Sequence, residues 1–244
     1  MVVPALLAVV VGALLQRLTG MGFALVSAPF LVLLLGPFDG VLVANAGGAF
    51  SSLILLRRLR SWIDWHRFRY LMPAALVGIV PGAWVALNVP SHVLDLSIGL
   101  IVVLGMTASL IAARADAASG TLPMLLLGGA SGFMNVTAGV GGPALSVYGV
   151  VSRWSQLSFA ATLQPLFLVM GLVSLGVKWA GEPAAFATLG WPIWLGVAAA
   201  VLVGLALGTG LARWVGPGTA RVVVIVMAYA GGVATLLRGL FAGT

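Results

Sequence analysis

Apolar residues fill the chain in ten blocks, approximately 4–18, 22–36, 41–56, 68–88, 93–113, 122–138, 142–152, 156–177, 187–212 and 218–237, and polar residues gather in the gaps. A helix needs about 20 apolar residues to cross a hydrocarbon core roughly 30 Å thick, so the longer blocks predict transmembrane helices. The first two blocks, at about 15 residues each, reach only about 22 Å, and 142–152 is shorter still. Glycines separate the members of each short pair: Gly20-Met21-Gly22 in one, Gly139-Val140-Gly141-Gly142 in the other. Glycine turns the chain without a steric penalty, so each pair predicts a re-entrant helical hairpin, with one kinked crossing as the alternative. Non-helical backbone at membrane depth is tolerated only where protein buries it or water reaches it. The two breaks are therefore expected to face each other near the middle of a bilayer and to form a binding site.

The polar and small positions repeat. At an offset of 119, Gly20 falls on Gly139, Gly22 on Gly141, Ser27 on Ser146, Gln16 on Asn135 and Asn45 on Gln164. Farther along, at 126, Gly78 falls on Gly204, Gly82 on Gly208, Ala86 on Ala212, Gly105 on Gly231 and Ala108 on Ala234. The expected architecture is an all-α integral membrane protein of about ten helical segments arranged as two inverted repeats. Residues 1–116 would carry hairpin 4–36 and helices 41–56, 68–88 and 93–113; residues 117–244 would carry hairpin 122–152 and helices 156–177, 187–212 and 218–237. Three crossings per half, an odd number, inverts one half relative to the other, a common plan in secondary transporters with a midplane site. The stretch Met1–Leu18 has an apolar core like that of a signal peptide, but no basic residue precedes it and no convincing cleavage site follows. Its part in the repeat makes it mature structure in this reading.

Composition removes alternatives. Of 244 residues, 61% are hydrophobic and 7% charged, against about a quarter charged in soluble domains, which leaves no room for a separate soluble domain. The net charge of +7 would suggest nucleic acid in a soluble protein, but here the basic residues lie between apolar blocks, as in cytoplasmic membrane loops. Arg57, Arg58, Arg60, Arg67 and Arg69 crowd one short loop, so 57–69 is expected in the cytoplasm. With hairpins that do not change sides, Arg114, Arg153, Arg213 and Arg221 join it, while Lys178 and Arg238 lie opposite. The lack of cysteine removes disulfides, thiol catalysis and cysteine-ligated metal.

The carboxylates Asp39, Asp64, Asp95, Asp116 and Glu182 all fall in gaps or within a turn of a block end, so a mid-membrane acid of the kind used by proton and cation pumps is not expected. Asp95 reads as a first-turn residue favoured by the helix dipole. His66 and His92 do not suggest a metal site, and neither HExxH nor GxSxG occurs; no cofactor and no enzyme activity is expected. What stays polar near the breaks is Gln16, Arg17 and Thr19 in the first half, Asn135 and Thr137 in the second. A helix starting at Gly22 or Gly142 turns free backbone N–H groups and its positive dipole end towards the break, an arrangement that attracts anions. Gly20, Met21, Gly22, Gly139, Gly141 and Gly142 would supply that backbone. Asn45 and Gln164, each soon followed by a helix-disturbing Gly47 or Pro165, are expected to face the same cavity. The alternatives are glycines that only pack helices and amides that only tie them together. Arg17, matched by Val136, either contacts substrate or pairs structurally.

These motifs, Gly20-Met21-Gly22 running into Phe23 to Pro29 and Gly139-Val140-Gly141-Gly142-Pro143, each followed by an asparagine or glutamine in the next helix, resemble the TauE/SafE sulfite-exporter family of membrane permeases over nearly the whole chain. The resemblance implies a bacterial-type inner-membrane transporter of small sulfur-containing anions such as sulfite, sulfonates or sulfoacetate. It carries over to Gly20, Gly22, Gly139, Gly141 and Gly142 as loop positions; Phe23 departs from the commoner form, which has a further glycine. The preferred expectation is a secondary transporter or facilitator working by alternating access in the lipid bilayer, with no nucleic acid and with a homo-oligomer admitted. An anion channel and a non-transporting membrane scaffold are the competing classes.

Overall fold

The computed structural model describes residues 2–114 and 120–242, so Asp116 and the expected repeat boundary beside it lie outside the described residues. Ten α-helices follow one another: α1 (Val2–Thr19), α2 (Gly22–Leu35), α3 (Pro37–Leu59), α4 (Trp65–Asn88), α5 (Ser91–Ala112), α6 (Thr121–Ala138), α7 (Gly142–Val151), α8 (Gln156–Gly181), α9 (Pro183–Leu211) and α10 (Pro217–Ala242). Seven of them, α1, α3, α4, α5, α8, α9 and α10, are long and apolar enough to cross a membrane. Large apolar side chains such as Val77, Val80, Leu104 and Leu195 stand at least 60% exposed, a liability in water and the natural state against lipid. The chain is an all-α integral membrane protein.

Two helix starts depart most from the apolar pattern. α3 starts at Pro37, four residues before its apolar block, because proline suits the first turn, where its missing N–H is not needed. Gly40 then lies directly on the backbone of Leu31 and Val32, where a Cβ would collide. α9 starts at Pro183 and contains Gly190 at φ 67°, ψ 155°, so it comprises two helical pieces joined at a kink.

The members of each short pair pack against one another. Val2 and Leu35, at opposite ends of the α1–α2 pair, line the same small cavity. Midway along, Gly12 faces Ser27, whose hydroxyl bonds back to the Phe23 carbonyl. In the second pair Ser131 Oγ donates to the Gly141 carbonyl (2.8 Å), folding α6 back on the start of α7. At 14 and 10 residues, α2 and α7 are too short to span hydrocarbon alone.

Exchanging α1–α5 with α6–α10 preserves the principal helix pairings, but not the packing of α2 on α3, which α7 and α8 do not match. α1 lies on α9 as α6 lies on α4, α2 on α10 as α7 on α5, and α3 pairs with α8 and α5 with α10. The correspondence reaches single atoms. A Cβ built on Gly204 would strike the Val10 carbonyl, and one on Gly78 the Gly129 carbonyl; Gly208 meets Leu14 O and Arg17, Gly82 meets Phe133 O and Val136. Val10 with Gly129, Leu14 with Phe133 and Arg17 with Val136 are each 119 apart, and their glycine partners 126 apart. Small residues bring these helices to backbone contact, where dispersion and close approach replace a hydrophobic drive that lipid does not supply.

Two charged groups at the end opposite the 57–69 segment are buried. Asp95 is 4% exposed and lies one residue beyond the first turn of α5, so the expected dipole contact is replaced by an ion pair with Arg238 of α10. Arg238 Nε donates to Asp95 Oδ2 (2.9 Å), Nη2 to Oδ1, and Nη1 to the Val32 carbonyl near the end of α2 (2.8 Å). Lys178, expected in a loop, sits in the last turn of α8, 1% exposed, with its ammonium 4.7 Å from the centre of the Phe38 ring.

Candidate functional site

Both helix breaks are closed by the same local device. Gly20 donates its N–H to the Gln16 carbonyl (2.7 Å), and Gly139 donates to the Asn135 carbonyl (2.9 Å). The two glycines have φ of 86° and 71°, the left-handed region that side chains resist and that ends helices. Each amide-bearing residue thus terminates its own helix through its backbone and presents its side chain to the space beyond.

That space is a chamber of about 20 Å³ lined from both breaks by Gln16, Met21, Asn45, Asn135, Gly139, Gly141 and Gly142, with Phe23, Ser52 and Phe167 completing the wall. One water molecule needs about 10–15 Å³, so the chamber is contracted. The hairpin tips overlap side by side. Ala28 approaches Gly139, Leu25 approaches Gly142, and Ser146 Oγ donates to Met21 Sδ at 3.0 Å, so α2 and α7 run antiparallel along the chamber. Neither helix start has a side-chain cap, leaving first-turn N–H groups at Phe23, Ala24 and Gly142 beside the cavity. Phe23 fits its ring against Gly47 and Gly48, which accounts for the bulk that stands here in place of glycine.

Two contacts join the amide-bearing residues across the halves, one between side chains and one from the Asn45 side chain to the Asn135 backbone carbonyl. Gln16 Nε2 donates to Gln164 Oε1 (3.3 Å), and Asn45 Nδ2 donates to the Asn135 carbonyl (3.4 Å). Ser51 Oγ donates to Gln16 Oε1 (2.6 Å), Gln16 Nε2 also reaches Ser52 Oγ (3.3 Å), and Gln164 Nε2 donates to the Gly20 and Ala160 carbonyls (3.0 and 2.7 Å). On the other side Ser174 Oγ donates to Asn135 Oδ1 (3.0 Å). Asn135 Nδ2 makes no bond to protein among the described residues, so it is a free donor at the chamber wall.

Below Met21 lies a second, larger space of about 780 Å³ lined by Arg17, Thr19, Gly20, Met21, Ser146, Arg153, Trp154, Gln156 and Arg221. Leu59 also borders it, and the Arg67 guanidinium lies 4.4 Å from the Trp154 ring centre, so this vestibule belongs to the face bearing the 57–69 arginines. Met21 lines both chamber and vestibule. No Asp or Glu lines either space among the described residues, and no cluster that could hold a metal occurs among them.

The structure therefore divides the expected site residues. Gln16, Met21, Asn45, Asn135, Gly139, Gly141 and Gly142 meet at the chamber, and Arg17, Thr19 and Gly20 face the vestibule. Gln164 stands behind the chamber as the partner of Gln16. Gly22 packs against Leu15, Thr19 and Val224, and Thr137 turns its hydroxyl to its own helix at the Phe133 carbonyl (2.7 Å). Arg153, Arg221, Ser51, Ser52, Ser174 and Phe167 were not anticipated at the site. Arg153 and Arg221 carried a signal in the sequence: like Arg17 they break the repeat, falling opposite Leu34 and Asp95.

No curated protein and no solved structure matches the chain. The family description "Sulfite exporter TauE/SafE" matches residues 5–235, a span that includes both hairpins, the chamber and all three vestibule arginines. The chain belongs to the sulfite exporter TauE/SafE family, a family of membrane transporters.

Proposed function

We propose that the protein is a secondary transporter or facilitator for small sulfur-containing oxyanions, sulfite and sulfonates foremost, with the chamber between the two breaks as its central site. The observation that carries this reading is the chamber's makeup: two uncapped helix starts and the unbonded Asn135 Nδ2 around one space, with Gln16 held in the wall by Ser51, Ser52 and Gln164 and no carboxylate in the lining among the described residues. Oriented N–H donors and positive dipole ends favour an anion without a full counter-charge. Alternating access would come from rocking of the two halves, whose principal helix pairings correspond, and the halves would be inverted repeats meeting near residue 116. The 57–69 arginines would hold their face in the cytoplasm.

The test is flux of labelled sulfite and sulfonates in proteoliposomes. Gln16→Ala and Asn135→Ala are each expected to lower flux about tenfold or more, since a lost hydrogen bond to a charged group is worth about 1.5–3 kcal/mol. Unchanged flux in both variants, for every anion the wild type carries, would remove the chamber from the mechanism.

A further inference from the structure

The vestibule has properties that the central site does not need. Three arginines from three separate places, Arg17 on α1, Arg153 in the turn after α7 and Arg221 on α10, line one cavity of about 780 Å³. None has a carboxylate partner: among the described residues the ion pairs are Arg67 with Asp64 and Arg238 with Asp95, both elsewhere. Arg17 Nε instead donates to Thr209 Oγ1 (3.1 Å). Like charges gathered around a concave, low-dielectric wall focus a positive potential and raise the local concentration of anions. Guanidinium presents the planar fork that matches two oxygens of an oxyanion.

The backbone points the same way. Arg153 is the one non-glycine among the described residues with positive φ, 51°. It occupies the position just past α7 where helices commonly end on glycine, with the Trp154 N–H closing back to the Gly149 carbonyl (3.0 Å). A long cationic side chain stands where the local geometry favours none.

Size places the ion. A four-atom oxyanion does not fit about 20 Å³ but fits readily in the vestibule, so in this conformation the room for substrate is below Met21. The thioether of Met21 separates the two spaces and is held by Ser146, and methionine is flexible enough to move aside without a backbone change.

We propose that the vestibule is a loading site for the oxyanion, in which Arg153 and Arg221, beside Arg17, hold the ion before it passes Met21 into the chamber. This rests on the transport reading above for the identity of the anion. The chemistry that would bind there, an anionic group with two or more free oxygens, is shared by lipid phosphates; the proposal is for the free ion.

The experiment uses the full chain in phosphatidylcholine nanodiscs with equilibrium binding of labelled sulfite, and proteoliposomes of the same lipid for flux. The Arg153→Gln/Arg221→Gln double variant is expected to weaken sulfite binding about tenfold, raise the half-saturation concentration for flux by a similar factor, and flatten the dependence of binding on salt. Gln16→Ala, at the chamber, is expected to lose flux. Wild-type-like binding in the double variant, or no binding by the wild type, overturns the loading site. Loss of sulfite binding when phosphatidylglycerol replaces part of the phosphatidylcholine also overturns it, in favour of a lipid headgroup. Flux that needs Gln16 but ignores the arginines leaves the transport reading standing without the loading site. Arginine-dependent sulfite binding with no flux of any sulfur anion leaves the loading site standing without the transport reading.

Discussion

Single residues here act mostly through backbone geometry and pairing. Gly20 and Gly139 stood out in the sequence because glycine inside a membrane-length apolar run needs a reason, and positive φ at both supplies it. The burial of Asp95 and Arg238 was not legible: 143 positions separate them, and neither sits in a pattern that announces a partner. With Asp95 4% exposed, removal of Arg238 strands a charge in a poorly solvated place, at a cost on the order of 3 kcal/mol. Arg238→Ala should therefore lower the unfolding midpoint in detergent markedly. The double variant Asp95→Asn/Arg238→Ala should recover a good part of that loss, since the cycle isolates the pair; additive losses would mean that the two side chains do not depend on each other.

At the level of elements, the length of the apolar blocks placed every helix; the ends shifted where proline or glycine chemistry overrides hydropathy, at Pro37 and Gly190, and where a helix runs on past its apolar block, at the ends of α8 and α10. The chamber's contributors were partly legible for the same reason: repeat-matched amides and glycines announce themselves, whereas Ser51, Ser52 and Ser174 sit mid-helix among many small residues and gain meaning only when another helix brings an amide to them. The glycine contacts have a symmetric consequence. Gly78→Leu and Gly204→Leu each drive a side chain into a carbonyl of the facing helix, and overpacking of this kind typically costs about 1–3 kcal/mol. The two variants should lose similar thermal stability, measured side by side in the same detergent; a large disparity would show that the α4–α6 and α1–α9 contacts are not equivalent.

For the molecule as a whole, the absence of cysteine, uninformative about compartment, makes the chain a ready background for single thiols. Thr19→Cys, facing the vestibule, should react with a membrane-impermeant thiol reagent, while Ser52→Cys, at the contracted chamber, should react at least tenfold more slowly. Adding Met21→Gly to Ser52→Cys should close most of that gap if Met21 is what divides the spaces; an unchanged rate would place the barrier elsewhere.

The exchange of halves has one more consequence, found where it fails. If the opposite-facing state arises when the halves trade conformations, its mouth is built from the repeat partners of the vestibule: Val136 for Arg17, Leu34 for Arg153, and Asp95 for Arg221, the last already neutralised by Arg238. One portal would then be strongly electropositive and the other electrically plain. Such a carrier fills at low anion concentration from the arginine side and only at high concentration from the other. It could not drive an ion uphill, and at low concentration it would pass the ion equally well both ways; its asymmetry would show at saturation, reached at a lower concentration from the arginine side.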